Sequence, residues 1–186
     1  MEHKIKLINI FATALLASYI VGCGNQMPAS SPEPQAQAPA NSLPEGLLST
    51  SPLGDALGVV EARKDVKPDA NIVITGYVGG LAAPLVDGRS IFTLADAEAM
   101  TRCDAVPGDG CSTPWDACCV SSEIKTASIA SIQVLDTDGT VLKQTLEGFG
   151  GIKPGSTVTV QGKIDPGSSN SVLIVNAEKI HVPEQL

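Results

Sequence analysis

Aromatic side chains make up only 3% of the 186 residues, and histidine is almost missing, with His3 near the start and His181 near the end. So few rings leave little for the base stacking that single-stranded nucleic acid requires. Basic residues are also in the minority, 12 Lys and Arg against 20 Asp and Glu for a net charge of −8, and those present, such as Arg63, Lys64, Lys125 and Lys163, are scattered. Phosphate recognition needs clustered cations, so nucleic acid is a poor partner for this chain. No G-x-S-x-G, H-E-x-x-H or G-x-x-x-x-G-K-[ST] phrase occurs, nor any internal repeat. Asp136-Thr137-Asp138-Gly139 has the start of a calcium loop but not its remaining ligands. Nothing here carries a catalytic motif, and the expectation is a protein that is not an enzyme.

An apolar run long enough to span a bilayer is lacking as well. The longest extends from Ile10 to Gly22, relieved by Thr13, Ser18 and Tyr19 and preceded by Lys4 and Lys6. A membrane-spanning helix needs about 20 apolar residues, whereas a charged start followed by a shorter apolar stretch is the layout of a secretory signal. The run ends in Ile20-Val21-Gly22-Cys23, which resembles the lipobox of bacterial lipoproteins. The resemblance implies that residues 1–22 are removed and that Cys23 becomes the first residue of the mature chain. Its thiol would carry diacylglycerol and its new amino group a further acyl chain such as palmitate, because one chain alone holds a protein only marginally. Gly24 stands where an aspartate would resemble an inner-membrane retention signal. The expected location is therefore the cell envelope, lipid-anchored, at the outer membrane facing periplasm or surface if the cell is Gram-negative.

Residues 23–53 are rich in Pro, Ala, Ser and Gln, as in Ser31-Pro32-Glu33-Pro34, and have no apolar period. Such a stretch buries too little surface to offset ordering, so a disordered tether is expected. Residues 54–186 then make one domain, with a core of Val, Ile and Leu because Tyr77, Phe92, Trp115 and Phe149 are its only rings.

β-branched residues at alternating positions predict strands over Asn71–Gly79, Ser90–Asp96, Ile129–Asp136, Thr140–Leu146, Ser156–Asp165 and Ser171–Val182. Asp138-Gly139 predicts a tight turn joining the third and fourth of these. Asp55–Lys64 is the best candidate for a short helix, although Gly58 weakens it. Ile74-Thr75-Gly76-Tyr77-Val78 and Val160-Gln161-Gly162-Lys163-Ile164 share a V-x-G-x-V form, in which glycine permits the bulge or coil that bends a strand around a small barrel. Together with the strand succession they resemble an OB-fold. The implied class is all-β: a small OB-like barrel of five to six strands with a short N-terminal helix, a sandwich being the alternative.

Between the second and third strands lies an insertion, residues 97–122, that holds Cys103, Cys111, Cys118 and Cys119. Its Thr113-Pro114-Trp115-Asp116-Ala117-Cys118-Cys119 resembles a segment of small exported bacterial OB-like domains, a resemblance that brings no activity with it. In an oxidising compartment an even set of cysteines favours disulfides, with Cys103 and Cys111 each joined to one of the vicinal pair, since adjacent cysteines fit the preferred bridge geometry poorly. Four thiolates would alternatively suit zinc or an iron–sulfur cluster. Against that, zinc ligands usually come as C-x₂₋₄-C, whereas seven residues separate Cys103 from Cys111 and none separates Cys118 from Cys119. A thiol-redox pair lacks its C-x-x-C. Trp115 and Arg89 are candidate ligand contacts, although a tryptophan beside cysteines more often packs over a loop core.

The expected function is thus a membrane-anchored envelope lipoprotein with a non-catalytic binding domain. It would take a protein, a glycan or a small ligand and need no cofactor. A metal-binding or thiol-redox protein built on the cysteine loop is the alternative.

Overall fold

The computed structural model describes residues 43–183 except residue 109. The expected signal segment, Cys23 and the first part of the expected tether lie outside the described residues.

Five strands make a closed barrel. They are β2 (Asn71–Val78), β3 (Ile91–Ala95), β4 (Ile129–Gln133), β5 (Thr157–Ile164) and β6 (Leu173–His181), preceded by a two-residue strand β1 (Leu57–Gly58). Their order is β1-β2-β3-β4-β6-β5, and β2 pairs with β5 to close the sheet. All barrel pairs are antiparallel except β4 with β6. Counting only barrel strands, the circuit runs first, second, third, fifth, fourth and back to first, the Greek-key closure of an OB-like fold. Inward positions alternate with outward ones along each strand, so Ile74, Phe92, Ile132, Val160 and Val175 are all fully buried. The expected aliphatic core is present.

Both V-x-G-x-V glycines sit where a neighbouring backbone comes close. A β-carbon on Gly76 would overlap the Ala95 carbonyl oxygen, and one on Gly162 would overlap that of Asn176. The β5–β6 register slips at Gln161/Gly162, leaving Glu178 as the extra residue of a bulge. Close backbone approach, more than backbone freedom, is what requires glycine here.

Three sequence expectations are corrected. First, the domain starts before residue 54. Leu47 is 2% exposed and belongs to the main core, while Leu48 bridges Ile180 in parallel. The second half of β6 outruns β4, and this N-terminal segment covers the edge so exposed, with Ser49 N–H donating to the Ile180 carbonyl at 2.8 Å. Two adjacent leucines were hidden in a stretch whose average composition is that of a tether.

Second, the helix expected over Asp55–Lys64 is split into β1, a single turn α1 (Val59–Ala62) and a 3-10 turn (Arg63–Asp65). Gly58 stays extended because β1 pairs in parallel with Ile74 and Thr75 of β2, beyond the reach of β3. Val59 and Ala62 then enter the core. The Arg63 guanidinium ties α1 to the Ile129 carbonyl at 2.7 Å.

Third, Thr140–Leu146 is not a strand. The turn before it forms as expected, with Gly139 at φ 76° and Asp136 accepting the Asp138 and Thr140 amides, both at 2.9 Å. Pairing ends after the Leu135–Val141 bridge and Leu142, whose N–H donates to the Val134 carbonyl and whose carbonyl accepts the Ser90 amide, both at 2.9 Å, and Leu146 becomes part of the barrel core. An apolar residue that recurs every few positions satisfies a strand pattern while reaching the core from outside the sheet.

Candidate functional site

Two regions carry chemistry: the outer face of three barrel strands, and the cysteine loop.

Opposite the core, β3, β4 and β6 present two rows of half-buried side chains. Ile91, Gln133 and Asn176 lie side by side in one, Thr93, Ser131 and Ile174 in the other. Gln133 Nε2 donates to Asn176 Oδ1 at 2.7 Å, and Asn176 Nδ2 donates to Asp165 Oδ2 at 3.0 Å. Gln133 also reaches Asp165 Oδ2 at 3.3 Å. An amide–amide–carboxylate row, each member orienting the next, therefore crosses the face. Val86, in the loop between β2 and β3, and Val172, in the loop between β5 and β6, are exposed. Sequence reasoning missed this face: Gln133, Asp165 and Asn176 belong to three segments, and only the strand register brings them together.

The cysteine loop leaves β3 at Asp96, a buried carboxylate whose Oδ1 accepts the amides of Glu98 and Ala99 at 2.9 and 3.0 Å. Its Oδ2 accepts the Val60 amide of α1 at 2.9 Å. Asp96 lines a cleft of about 450 Å³ together with Glu61 and Glu98. Met100 and Ala117 next pack on Tyr77 and Ala95 to form a second, smaller core. Cys103 opens a 3-10 turn (Cys103–Ala105), and its amide donates to the Asp116 carbonyl at 2.8 Å. That bond places the two ends of the loop side by side. Arg102 lies over the Tyr77 ring, 5.5 Å from its centre, and pairs with Asp104. Asp116 accepts the Ala117 amide at 2.7 Å and meets Lys125 at 3.2 Å. Lys125 comes from the helix α2 (Ser122–Ala127), capped by the Ser121 hydroxyl.

Around this frame the sulfurs converge. Cys103 and Cys118 are separate thiols with Sγ atoms 2.8 Å apart, well inside van der Waals contact yet beyond a disulfide bond of about 2.05 Å. Cys118 Sγ also lies 3.9 Å from Cys111 and 3.8 Å from Cys119. The sulfurs of Cys103, Cys111 and Cys118 all fall within 4.8 Å of one another. Cys103 is buried, Cys111 half-buried, and Cys118 and Cys119 exposed. The hydrogen bond with Cys118, aided by burial, pushes the Cys103 thiol up to about 12, whereas hydrogen bonds to the Thr113 side chain and backbone hold the Cys111 thiol below its usual range.

The two candidate ligand contacts lie apart from the sulfurs in role. Trp115 is half-buried; its Nε1–H donates to the Ala82 carbonyl at 3.0 Å and its own carbonyl accepts the Gly80 amide at 3.0 Å, so it fastens the cysteine loop to the β2–β3 loop. Arg89 is exposed in the turn leading into β3 and is on a different loop from the cysteines.

Strand order and site define a small OB-like barrel with an inserted thiol cluster. No protein-family model matches the sequence, and a comparison with curated proteins found no match. Among solved structures the chain is similar to the hypothetical protein ygiW from E. coli, at 15% identity and a TM-score of 0.37, with 71% of this chain and 94% of that one covered.

Proposed function

We propose that this chain is a lipid-anchored envelope protein whose OB-like domain is a non-catalytic binding module, with a glycan as its ligand. The Gln133–Asn176–Asp165 row carries the reading. Amides and a carboxylate offer both donors and acceptors to sugar hydroxyls, and their mutual hydrogen bonds hold them in place before any ligand arrives. Ile91 and Ile174 beside them offer apolar contact to a ring face. The strands concerned are the second, third and fifth of the barrel, and OB-like folds commonly bind oligosaccharides or oligonucleotides around the second and third. A net charge of −8 argues against the oligonucleotide.

Equilibrium titration of the chain with neutral oligosaccharides of N-acetylated hexosamines tests this. Binding should be saturable. Replacing Gln133 and Asn176 together with alanine removes side-chain bonds to ligand worth about 1 kcal/mol each, so affinity should fall roughly thirtyfold while the domain stays folded at the titration temperature. Titrations that show no binding across such a panel, or an affinity untouched by the double substitution, would count against the face.

A further inference from the structure

We infer that Cys103, Cys111 and Cys118 form a binding site for a single thiophilic metal ion, zinc or monovalent copper, with the outward position left to solvent. Convergence of the three sulfurs on one point is the observation that carries it. Here the Cys111 sulfur comes from the far side of the loop to within 3.9 Å of Cys118, and all three sulfurs lie within 4.8 Å of one another. Metal–sulfur bonds of about 2.3 Å put coordinated sulfurs roughly 3.8–4.0 Å apart. The Cys111–Cys118 separation already fits. The Cys103–Cys118 gap of 2.8 Å has to open, and Cys118 is the exposed partner whose side chain has room to rotate.

The frame behind the sulfurs suits a ligand set. Cys103 is fixed from behind by its backbone N–H, which donates to the Asp116 carbonyl at 2.8 Å. Asp116 is held in turn by Lys125 at 3.2 Å, and outer-shell supports of this kind keep ligands aimed. Sulfur-only donors select soft ions over calcium or magnesium, which take oxygen. Each coordinated thiol gives up its proton to solvent as the ion binds, so uptake should weaken as pH falls. Irregular spacing concealed the site because the loop doubles back on itself. Ligands that are distant in sequence then meet without a C-x₂₋₄-C pair.

The test uses the full chain with Cys23→Ser, so that no fifth thiol competes, reduced with a phosphine under anaerobic conditions. Titration with zinc and, separately, with monovalent copper against a competing chelator is read by native mass spectrometry. One ion per chain is expected for at least one of the two metals, and it should protect three thiols from alkylation. Cys118→Ser should weaken binding at least about a hundredfold, and Cys119→Ser by less than about tenfold. Alkylation protection in the parent chain keeps the test decisive should Cys118→Ser fail to fold. A fully reduced chain that retains neither metal would overturn the proposal, as would binding undiminished in Cys118→Ser or lost in Cys119→Ser. A chain isolated with a disulfide that takes up no metal after reduction would overturn it too.

Discussion

Replacing Cys23 with serine should move the whole chain from the membrane fraction to the soluble fraction. On the proposed reading Cys23 supplies all of the membrane affinity, through a diacylglyceryl thioether and an amide-linked acyl chain. A single myristoyl chain gives an association constant of only about 10⁴ M⁻¹, and each further buried methylene adds about 0.8 kcal/mol, so several chains together make release negligible. Serine offers no thiol for the transfer, and with residues 1–22 replaced by a cleavable export signal that needs no lipid, no apolar leader remains to hold the chain. Among the described residues no helix is long and apolar enough to cross a membrane. The barrel should be unaffected, because its packed segments begin near Leu43. Fractionation with intact-mass measurement reads both effects. A Cys23→Ser chain that still sediments with membranes and resists alkaline extraction would rule out lipidation as the anchor.

The second large effect is on folding. Gly162→Ala and Gly76→Ala should each destabilise the domain by about 1–3 kcal/mol. The sign is the informative part. Glycine in a strand interior is ordinarily a liability, and alanine that fits restricts the unfolded chain and stabilises by about 0.4–1 kcal/mol. Here it does not fit: the new methyl at residue 162 meets the Asn176 carbonyl oxygen across the bulge, and at residue 76 the Ala95 carbonyl oxygen. Backbone cannot rotate away as a side-chain tip can. The two glycines lie four register positions apart on the β2–β5 ladder, Gly162 opposite Ile72 and Gly76 opposite Val158. Their costs should therefore nearly add. A combined loss of about 2–6 kcal/mol would consume much of a typical domain's 5–15 kcal/mol. Urea unfolding of the two single variants and the double one measures it. Single variants within 0.5 kcal/mol of the parent would mean that the barrel closes by some other contact.

These glycines also mark how far the sequence could be read. β-branched alternation located all five barrel strands, and the V-x-G-x-V phrase located the bulge at Gly162 and the close backbone approach at Gly76, because both signals are local. Long-range partners decided the rest. Leu47 is core only because β6 outruns β4, and nothing near Leu47 in sequence reports the length of β6. Leu146 fits a strand pattern because an apolar residue facing a core looks the same in sequence whether or not its backbone joins the sheet. Gly58 was read as a weak point in a helix, whereas the ladder to Ile74 and Thr75 makes it the end of a strand. The cysteines were legible as a group but not as an arrangement. Their meeting depends on the bond from the Cys103 amide to the Asp116 carbonyl, which brings together residues thirteen apart. The Gln133, Asp165 and Asn176 row was invisible for the same reason: each is an ordinary polar residue until register aligns them.

Amide chemical-shift mapping of the chain titrated with an N-acetylated hexosamine oligosaccharide tests the binding role most directly. The predicted result is a set of saturable shifts concentrated on Ile91–Thr93, Ser131–Gln133 and Ile174–Asn176, with the side-chain amides of Gln133 and Asn176 among the largest. Shifts confined to another surface, such as the cleft between Glu61 and Glu98, or no shifts at all, would contradict it.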